Sequence, residues 1–153
     1  MPRKLSLFNI NLFTSNSRIA YNIIVKNSNM VLGTSTKSGK PWATPVTYAY
    51  DGEYNFYFIS DVNSTHAKNI MENPNVSVTI ADLYEQKKKV YGVQAEATSY
   101  AEDENLDRDL DIYFGRLYPE MRKKYNADYY RGSSEFRLFK VIRLRTYLIS
   151  IER

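Results

Sequence analysis

Residues 54–81 read YNFYFISDVNSTHAKNIMENPNVSVTIA, and this stretch decides the fold class. The run over residues 54–60 is too continuously apolar to have a face in water, which is typical of a buried strand. Residues 75–81 alternate Val or Ile with Ser or Thr, which predicts a half-buried strand. Between the two strands, apolar residues three and four positions apart predict a two-turn helix that ends before Pro74, and these residues are Ala67, Ile70 and Met71.

Similar patterns continue on both sides of this stretch. The other predicted elements are a helix over residues 17–28, strands over 30–36, 42–50 and 90–100, a helix from 102 to about 116, and one bent strand or a hairpin over 135–151. Ser15, Asn16 and Ser17 are the candidate caps of the first helix. Six or seven short antiparallel strands must hide their edges, for which a closed barrel is favoured over a sandwich. We therefore predict a mainly β chain with a few helices, folded as a single domain over residues 1–153.

Composition excludes several classes of site. The chain has 153 residues with no cysteine and one histidine, so disulfides, iron–sulfur clusters and cysteine nucleophiles are excluded and no metal site is expected. No stretch approaches the roughly 20 apolar residues that span a bilayer, so we expect a soluble, cytoplasmic protein without a membrane partner. The acidic residues over 102–111 and the basic residues over 116–145 largely balance within a net charge of +4, which argues against a nucleic-acid surface.

The motifs of common nucleotide and hydrolase sites are absent from the sequence. All six glycines are isolated, so neither a Gly-x-Gly dinucleotide loop nor a P-loop can be written. A serine triad would have to recruit His66 without a nucleophile-elbow motif. Asp103 and Asp107 lie one turn apart on an expected exposed helix face, so they lack the buried partner that glycosidase chemistry needs.

The junction over residues 60–68 is the strongest candidate site. A strand ends there and a helix begins, and the first N–H groups of a helix attract anions. Three hydroxyls, an imidazole and an amine are also available, which suits a phosphate monoester. These groups belong to Ser60, Ser64, Thr65, His66 and Lys68. The alternative is that Ser64 or Thr65 only caps the helix and that His66 lies on the surface.

Several short motifs between residues 42 and 97 carry a family resemblance. They are WATPVTY at 42–48, DG at 51–52, FYFIS at 56–60, STHAKNI at 64–70, NPNVS at 73–77 and GVQAEA at 92–97. In this order and spacing they resemble the pyridoxamine 5′-phosphate oxidase-like, FMN-binding split-barrel superfamily, and most closely its short bacterial members of unassigned substrate. The resemblance covers residues 30–100.

This resemblance implies a six-stranded antiparallel split barrel that forms a homodimer and holds FMN in the groove between its subunits. The turn after residue 60 would hold the phosphate, the strand over 44–48 would run along the flavin ring, and the strand that starts near residue 89 would face the cofactor. The implied cofactor-binding residues are Thr44, Pro45, Val46, Thr47, Tyr48, Ile59, Ser60, Ser64, Thr65, His66, Lys68, Lys89 and Gln94. No catalytic residue is implied, because hydride transfer belongs to the flavin. Trp42 is expected to fill a core or an interface.

The sequence departs from the family pattern at two places. Many members carry an Arg-Lys pair where this chain has Thr65-His66, so two fixed positive charges are missing from the phosphate site. Lys68, Lys89, or an arginine such as Arg143 or Arg145 of the partner subunit are the candidates to replace them. The chain also lacks the arginine-rich carboxyl-terminal motif of the authentic oxidases, so oxidation of vitamin B6 is not predicted.

Three functions follow as hypotheses. The first is an FMN-dependent oxidoreductase that acts on a small organic substrate. The second is a carrier of flavin or haem without catalytic activity, which the same barrel would support. The third is a β-barrel that binds single-stranded nucleic acid through exposed tyrosines between basic residues.

Overall fold

The computed structural model describes residues 3–7, 14–81 and 89–152, with side chains described for residues 14–81 and 89–150. Its helices are α1 (Ser15–Lys26), α2 (Thr65–Glu72) and α3 (Leu106–Leu117), with 3₁₀ turns at Pro119–Met121 and Ala127–Tyr130. Its strands are β1 (Arg3–Leu7), β2 (Asn29–Ser35), β3 (Pro41–Thr47), β4 (Ala49–Tyr50), β5 (Phe56–Asp61), β6 (Asn75–Ala81), β7 (Lys89–Ala101) and β8 (Phe136–Glu152). The predicted mainly β class is confirmed.

The start of α1 differs from the sequence prediction, and the structure decides between the two alternatives for the last strand. Helix α1 begins earlier than predicted because Thr14 is its N-cap, with the Ser17 N–H donating to Thr14 Oγ1 at 3.1 Å. Strand β8 is one bent strand and not a hairpin. Its register against β7 shifts at Leu144, between Arg143 and Arg145, and this β-bulge bends the strand without reversing it.

The strands form one antiparallel sheet in the order β3-β2-β6-β7-β8-β5-β4, with β1 beside β8. β3 and β4 are two parts of one extended segment that is broken at Tyr48. Because β3 pairs with β2 and β4 pairs with β5, this segment joins the two ends of the sheet and curls it into a barrel. β3 has no second strand neighbour within the described residues, and the barrel is split there. The split-barrel class is confirmed, but six strands is too low a number: the break at Tyr48 and the additional β1 give eight in the described part of the chain.

Aromatic side chains fill the barrel interior and cover one of its outer faces. Phe58 is fully buried and stacks on Phe139 of the neighbouring strand, with 5.1 Å between the ring centroids. Tyr57 points to the other side of β5 and is also fully buried, because α3 packs over that side. The prediction that this strand has no face in water is therefore confirmed.

Helix α1 is tied to the rest of the molecule by its carboxyl-terminal carbonyls. The Tyr48 hydroxyl donates to Ile24 O at 2.7 Å, and Arg116 Nη2 donates to Val25 O at 3.1 Å. The last carbonyls of a helix have no N–H donor within the helix itself. These two long-range hydrogen bonds supply donors to them. They fix α1 against the strand segment and against α3.

Acidic residues on α3 and just before it are paired with arginines from the chain that follows the helix. The pairs are Arg122–Asp111, Arg131–Asp107 and Arg137–Asp103, with nitrogen–oxygen distances of 2.5, 2.6 and 2.5 Å. The acidic and basic blocks therefore neutralise each other, as the sequence predicts. None of the helices in the described part of the chain has the length and apolar character needed to cross a bilayer.

Candidate functional site

The junction between β5 and α2 brings the predicted hydroxyls together. Ser60 Oγ lies 3.2 Å from Ser64 Oγ and 2.7 Å from His66 Nε2. The Ser64 hydroxyl donates to Asp61 O at 2.7 Å and accepts a bond from the Ala67 N–H at 3.3 Å. Ser64 is therefore the N-cap of α2, as the capping alternative expects, and its hydroxyl also borders the cluster of Ser60 and His66.

The first N–H groups of α2 lie beside this cluster. Ser64 accepts the bond from Ala67, whereas the N–H groups of Thr65 and His66 have no carbonyl acceptor within the helix. The helix dipole adds partial positive charge at the same place. This end of α2 can therefore donate hydrogen bonds to an anion, together with the side chains of Ser60 and Thr65.

His66 is a buried residue, so the alternative that places it on the surface is wrong. Its exposed fraction is 9%, and its ring lies 6.1 Å from that of Phe58 between centroids. Burial disfavours the charged imidazolium and lowers the pKa of His66 below its ordinary value. His66 therefore serves as a neutral hydrogen-bonding group at neutral pH and supplies no fixed positive charge.

The lowered pKa of His66 predicts a specific loss of stability in mild acid. Below the ordinary histidine pKa of about 6.5 the unfolded chain binds a proton at His66 that the folded chain does not bind. The contribution of His66 to stability is thus complete above about pH 6.5 and falls as the pH drops through the folded-state pKa. Urea unfolding midpoints measured at about pH 7.5 and about pH 5.5 should differ more for the wild type than for His66→Gln. Equal pH dependence of the two proteins would show that His66 is not the cause.

The predicted flavin-wall residues on β3 divide between the two faces of the strand. Thr44 and Val46 are half-buried and Pro45 is exposed, while the Thr47 hydroxyl donates to a side chain at the start of β2 at 3.0 Å. The side chain of Tyr48 is fully buried and bonded to α1, so a ligand could contact Tyr48 only through its backbone.

The edge of β3 that faces away from β2 borders α2 and β5. Pro45 has no N–H to donate, and proline is tolerated in sheets at such edge positions. The alternate backbone groups of β3 on this side have no strand partner within the described residues. The split in the barrel thus leaves a strand edge open on a strand that contacts both α2 and β5.

The other predicted residues lie apart from the junction cluster. Ile59 packs on the α3 side of β5, and Lys68 is exposed on α2. Lys89 Nζ lies 5.5 Å from the centroid of the Tyr91 ring. Gln94 is exposed on the outer face of the sheet. Within one chain, the structure therefore groups Ser60, Ser64 and His66, with the exposed Thr65 next to them in the chain. It does not bring the other four residues into this cluster.

Gln94 and Pro45 belong to one row across the outer face of the sheet. The row consists of successive cross-strand partners, namely Pro45, Val31, Thr79, Gln94 and Tyr147. Three strand spacings separate Pro45 from Gln94, which corresponds to about 14 Å. The two predicted residues therefore share a face without being in contact.

A groove of about 750 Å³ lies on this outer face. Gly33 and Ser77 line it, and Trp42 and Leu144 border it with exposed fractions of 48% and 62%. Trp42 therefore does not fill the core of its own chain. Leu144 was not among the predicted residues, because it reaches this face through the β-bulge and no local sequence pattern marks that bulge.

The two candidate arginines of β8 have different surroundings. Arg143 Nε donates to Tyr54 O at 2.6 Å and Arg143 Nη2 donates to Glu53 O at 2.7 Å, so this guanidinium holds the turn before β5 in its own chain. Arg145 is exposed and lies 3.8 Å from Glu96. Of the two, only Arg145 is placed to reach another molecule.

Comparisons with solved structures show the same fold in other proteins. An FAD-binding protein from Mesorhizobium loti has 15% identity and a TM-score of 0.70, with 99% of this chain and 100% of that chain covered. The haem storage protein HutZ from Vibrio cholerae has 15% identity and a TM-score of 0.65, with 84% and 89% covered. A haem-binding protein from Mycobacterium smegmatis has 19% identity and a TM-score of 0.70, with 92% of this chain and 59% of that chain covered.

The sequence matches none of the curated proteins with which it was compared. It does match a family model, that of pyridoxamine 5′-phosphate oxidase, over residues 20–147. This match includes β2 to β7, the helices α2 and α3, the end of α1 and most of β8. The chain that forms the split barrel and the β5–α2 junction thus belongs to the pyridoxamine 5′-phosphate oxidase family.

Proposed function

We propose that this protein is a homodimeric FMN-binding oxidoreductase that acts on a small organic substrate other than a vitamin B6 compound. The observation that carries this proposal is the convergence of hydroxyls, an imidazole and free helix N–H groups at the β5–α2 junction. Ser60, Ser64 and His66 meet there within 3.3 Å of one another. In a chain of this family, a phosphate-binding turn beside an open strand edge supports a flavin nucleotide as the ligand.

The donor set of the junction fits a phosphate monoester. Hydroxyl and N–H groups donate to its oxygens, and the phosphate carries about −1.5 to −2 charges at neutral pH. Ser60 and Thr65 would donate through their side chains, and Thr65 and His66 through their N–H groups. Ser64 keeps its capping role and positions the turn.

The open edge of β3 supports a flavin ring that lies along this strand. A planar ring needs an apolar wall and a few polar contacts to its edge. Val46 would supply apolar surface on its face of β3, and the unpaired backbone groups of β3 would supply hydrogen bonds. When bound, FMN would supply the hydride-transfer chemistry, while the chain orients it and limits the access of water to it.

A second copy of the chain is the occupant that we propose for the outer-face groove. Trp42 and Leu144 border this groove and expose 48% and 62% of their surfaces. Val31, which lies outside the groove, exposes 44%. Exposed apolar patches of this kind on small proteins mark interaction sites. A partner seated on this face would also enclose the row that contains Pro45 and Gln94, which would make Gln94 a residue of the shared groove.

Flavin is favoured over haem by the environment of the single histidine. Histidine is a common axial ligand of haem iron. His66 is the one histidine of the chain, and its Nε2 atom is already hydrogen-bonded to Ser60 Oγ at 2.7 Å. A haem carrier would have to break this bond or use another ligand.

Size-exclusion chromatography followed by denaturation of the protein peak tests the proposal. After incubation with excess FMN, the protein should elute as a dimer, keep the visible absorption of oxidised flavin, and release FMN on denaturation. Release of haem would support the haem carrier instead, and retention of an oligonucleotide without flavin would support the nucleic-acid module. A monomer that carries no chromophore would contradict both the cofactor and the assembly.

A further inference from the structure

Arg137 lies directly opposite Ser60 in the sheet. The register of β5 and β8 pairs Phe58 with Phe139 and then Ser60 with Arg137. Paired residues of antiparallel strands point to the same face, with Cβ atoms about 5 Å apart. The stacked rings of Phe58 and Phe139 show that side chains on this face are in contact. Arg137 therefore starts from the same face as Ser60, at the β5–α2 junction.

The guanidinium of Arg137 has an unused donor. The side chain is 13% exposed, with Nη2 donating to Asp103 Oδ1 at 2.5 Å and Nη1 to Gly132 O at 3.0 Å. Its Nε atom is buried and has no hydrogen-bond acceptor within the described part of the chain. A buried charged donor without an acceptor is costly, so this N–H indicates a place for an acceptor that is not part of the chain.

The other basic groups near the junction do not supply a positioned charge. His66 is buried with a lowered pKa, and Lys68 is exposed on α2. Arg143 is bonded to the carbonyls of Glu53 and Tyr54. Among the residues that the structure describes, Arg137 is thus the cation that is both held in place and adjacent to Ser60.

We propose that Arg137 supplies the positive charge of the phosphate subsite, and that its Nε donates to a phosphate oxygen of the bound flavin nucleotide. This inference rests on the proposed function. In this proposal, Arg137 at the beginning of β8 takes the role of the Arg-Lys pair that many members of the family carry and that this chain lacks. Asp103 acts as a positioning residue, because its bond to Nη2 directs the guanidinium while leaving Nε free.

Paired titrations with FMN and riboflavin test this proposal, since the two ligands differ only in the phosphate. The full-length wild type should bind FMN more tightly than riboflavin. Arg137→Gln should weaken FMN binding by roughly 10- to 100-fold, the range expected for a hydrogen bond to a charged group, and leave riboflavin binding unchanged. Arg131→Gln is the matched control, because Arg131 also pairs with an aspartate of the acidic block, but its side chain is 42% exposed whereas that of Arg137 is 13% exposed. It should bind both ligands as the wild type does.

Each outcome decides the proposal. A wild type that prefers FMN together with an Arg137→Gln variant that keeps the full preference would overturn the role of Arg137 alone. A wild type without any preference for FMN would instead contradict the proposed function. If Arg137→Gln fails to fold by circular dichroism, Arg137→Lys decides the question, because it keeps the charge and loses the Nε donor. A smaller but selective loss of FMN affinity supports the proposal, and wild-type affinity overturns it.

Discussion

Replacing Lys140 by methionine should lower the free energy of unfolding by about 3 to 5 kcal/mol, because it removes the buried cation that lies between two buried carboxylates. Glu102 would lose its ion pair, and Asp109 would keep only its pair with the exposed Arg108. Lys140 Nζ lies 3.6 Å from Asp109 Oδ2 and 3.9 Å from Glu102 Oε2. Asp109 is fully buried and Glu102 is 2% exposed. Arg108 Nε donates to Asp109 Oδ1 at 2.8 Å, whereas Asp109 Oδ2 has no hydrogen bond and faces the ammonium of Lys140. Lys140 thereby holds α3 and the end of β7 against the sheet.

Urea denaturation at neutral pH measures this effect, with Lys124→Met as the control at an exposed lysine. For a chain of this length the change corresponds to a fall in Tm of roughly 10 °C. The double variant Lys140→Met with Asp109→Asn should recover part of the lost stability, because it removes one of the unpaired charges. A Lys140→Met variant as stable as the control would show that the carboxylates do not depend on this lysine.

The elements that sequence alone predicts are those with a local cause. The strand over 75–81 has its predicted bounds because its alternation of Val and Ile with polar residues is complete within seven residues and Pro74 ends the helix before it. The cluster of Ser60 and His66 could also be predicted, since a strand end followed by a helix start brings residues six positions apart together.

Features that depend on the curvature of the sheet could not be predicted. Residues 42–50 form one extended run in sequence, and nothing local shows that its first part pairs with β2 and its last part with β5. The break at Tyr48 is set by the burial of its ring and by its bond to α1. The same holds for the bulge at Leu144, which exposes that side chain on the outer face.

Residues whose role comes from cross-strand pairing were also missed. The sequence shows Arg137 and Lys140 only as members of a basic block. The register of β8 against β5 places Arg137 beside Ser60 and Lys140 beside Tyr57, on opposite faces of one strand. Arg137 therefore lies on the side of the junction, whereas Lys140 is buried under α3. This placement depends on the pairing of strands far apart in sequence, which no local pattern shows.

Replacing Ser64 by aspartate should abolish the tight binding of FMN while leaving the fold intact. Aspartate is as good an N-cap as serine, so the cap bond to the Ala67 N–H can be kept. Its carboxylate would lie beside Ser60 and the start of α2, where we place the phosphate. Two unit charges about 4 Å apart near a protein surface repel by about 4 kcal/mol, which predicts a loss of at least a hundredfold in FMN affinity.

Ser64→Asn is the matched variant, because asparagine also caps helices but carries no charge. Both proteins should melt near the wild-type temperature and bind riboflavin equally well. The decisive measurement is the FMN affinity of Ser64→Asp relative to Ser64→Asn, obtained by titration at constant ionic strength. We predict that the aspartate variant binds FMN at least a hundredfold more weakly than the asparagine variant. Equal FMN affinities would place the phosphate elsewhere and contradict the assignment of the β5–α2 junction as the flavin nucleotide site.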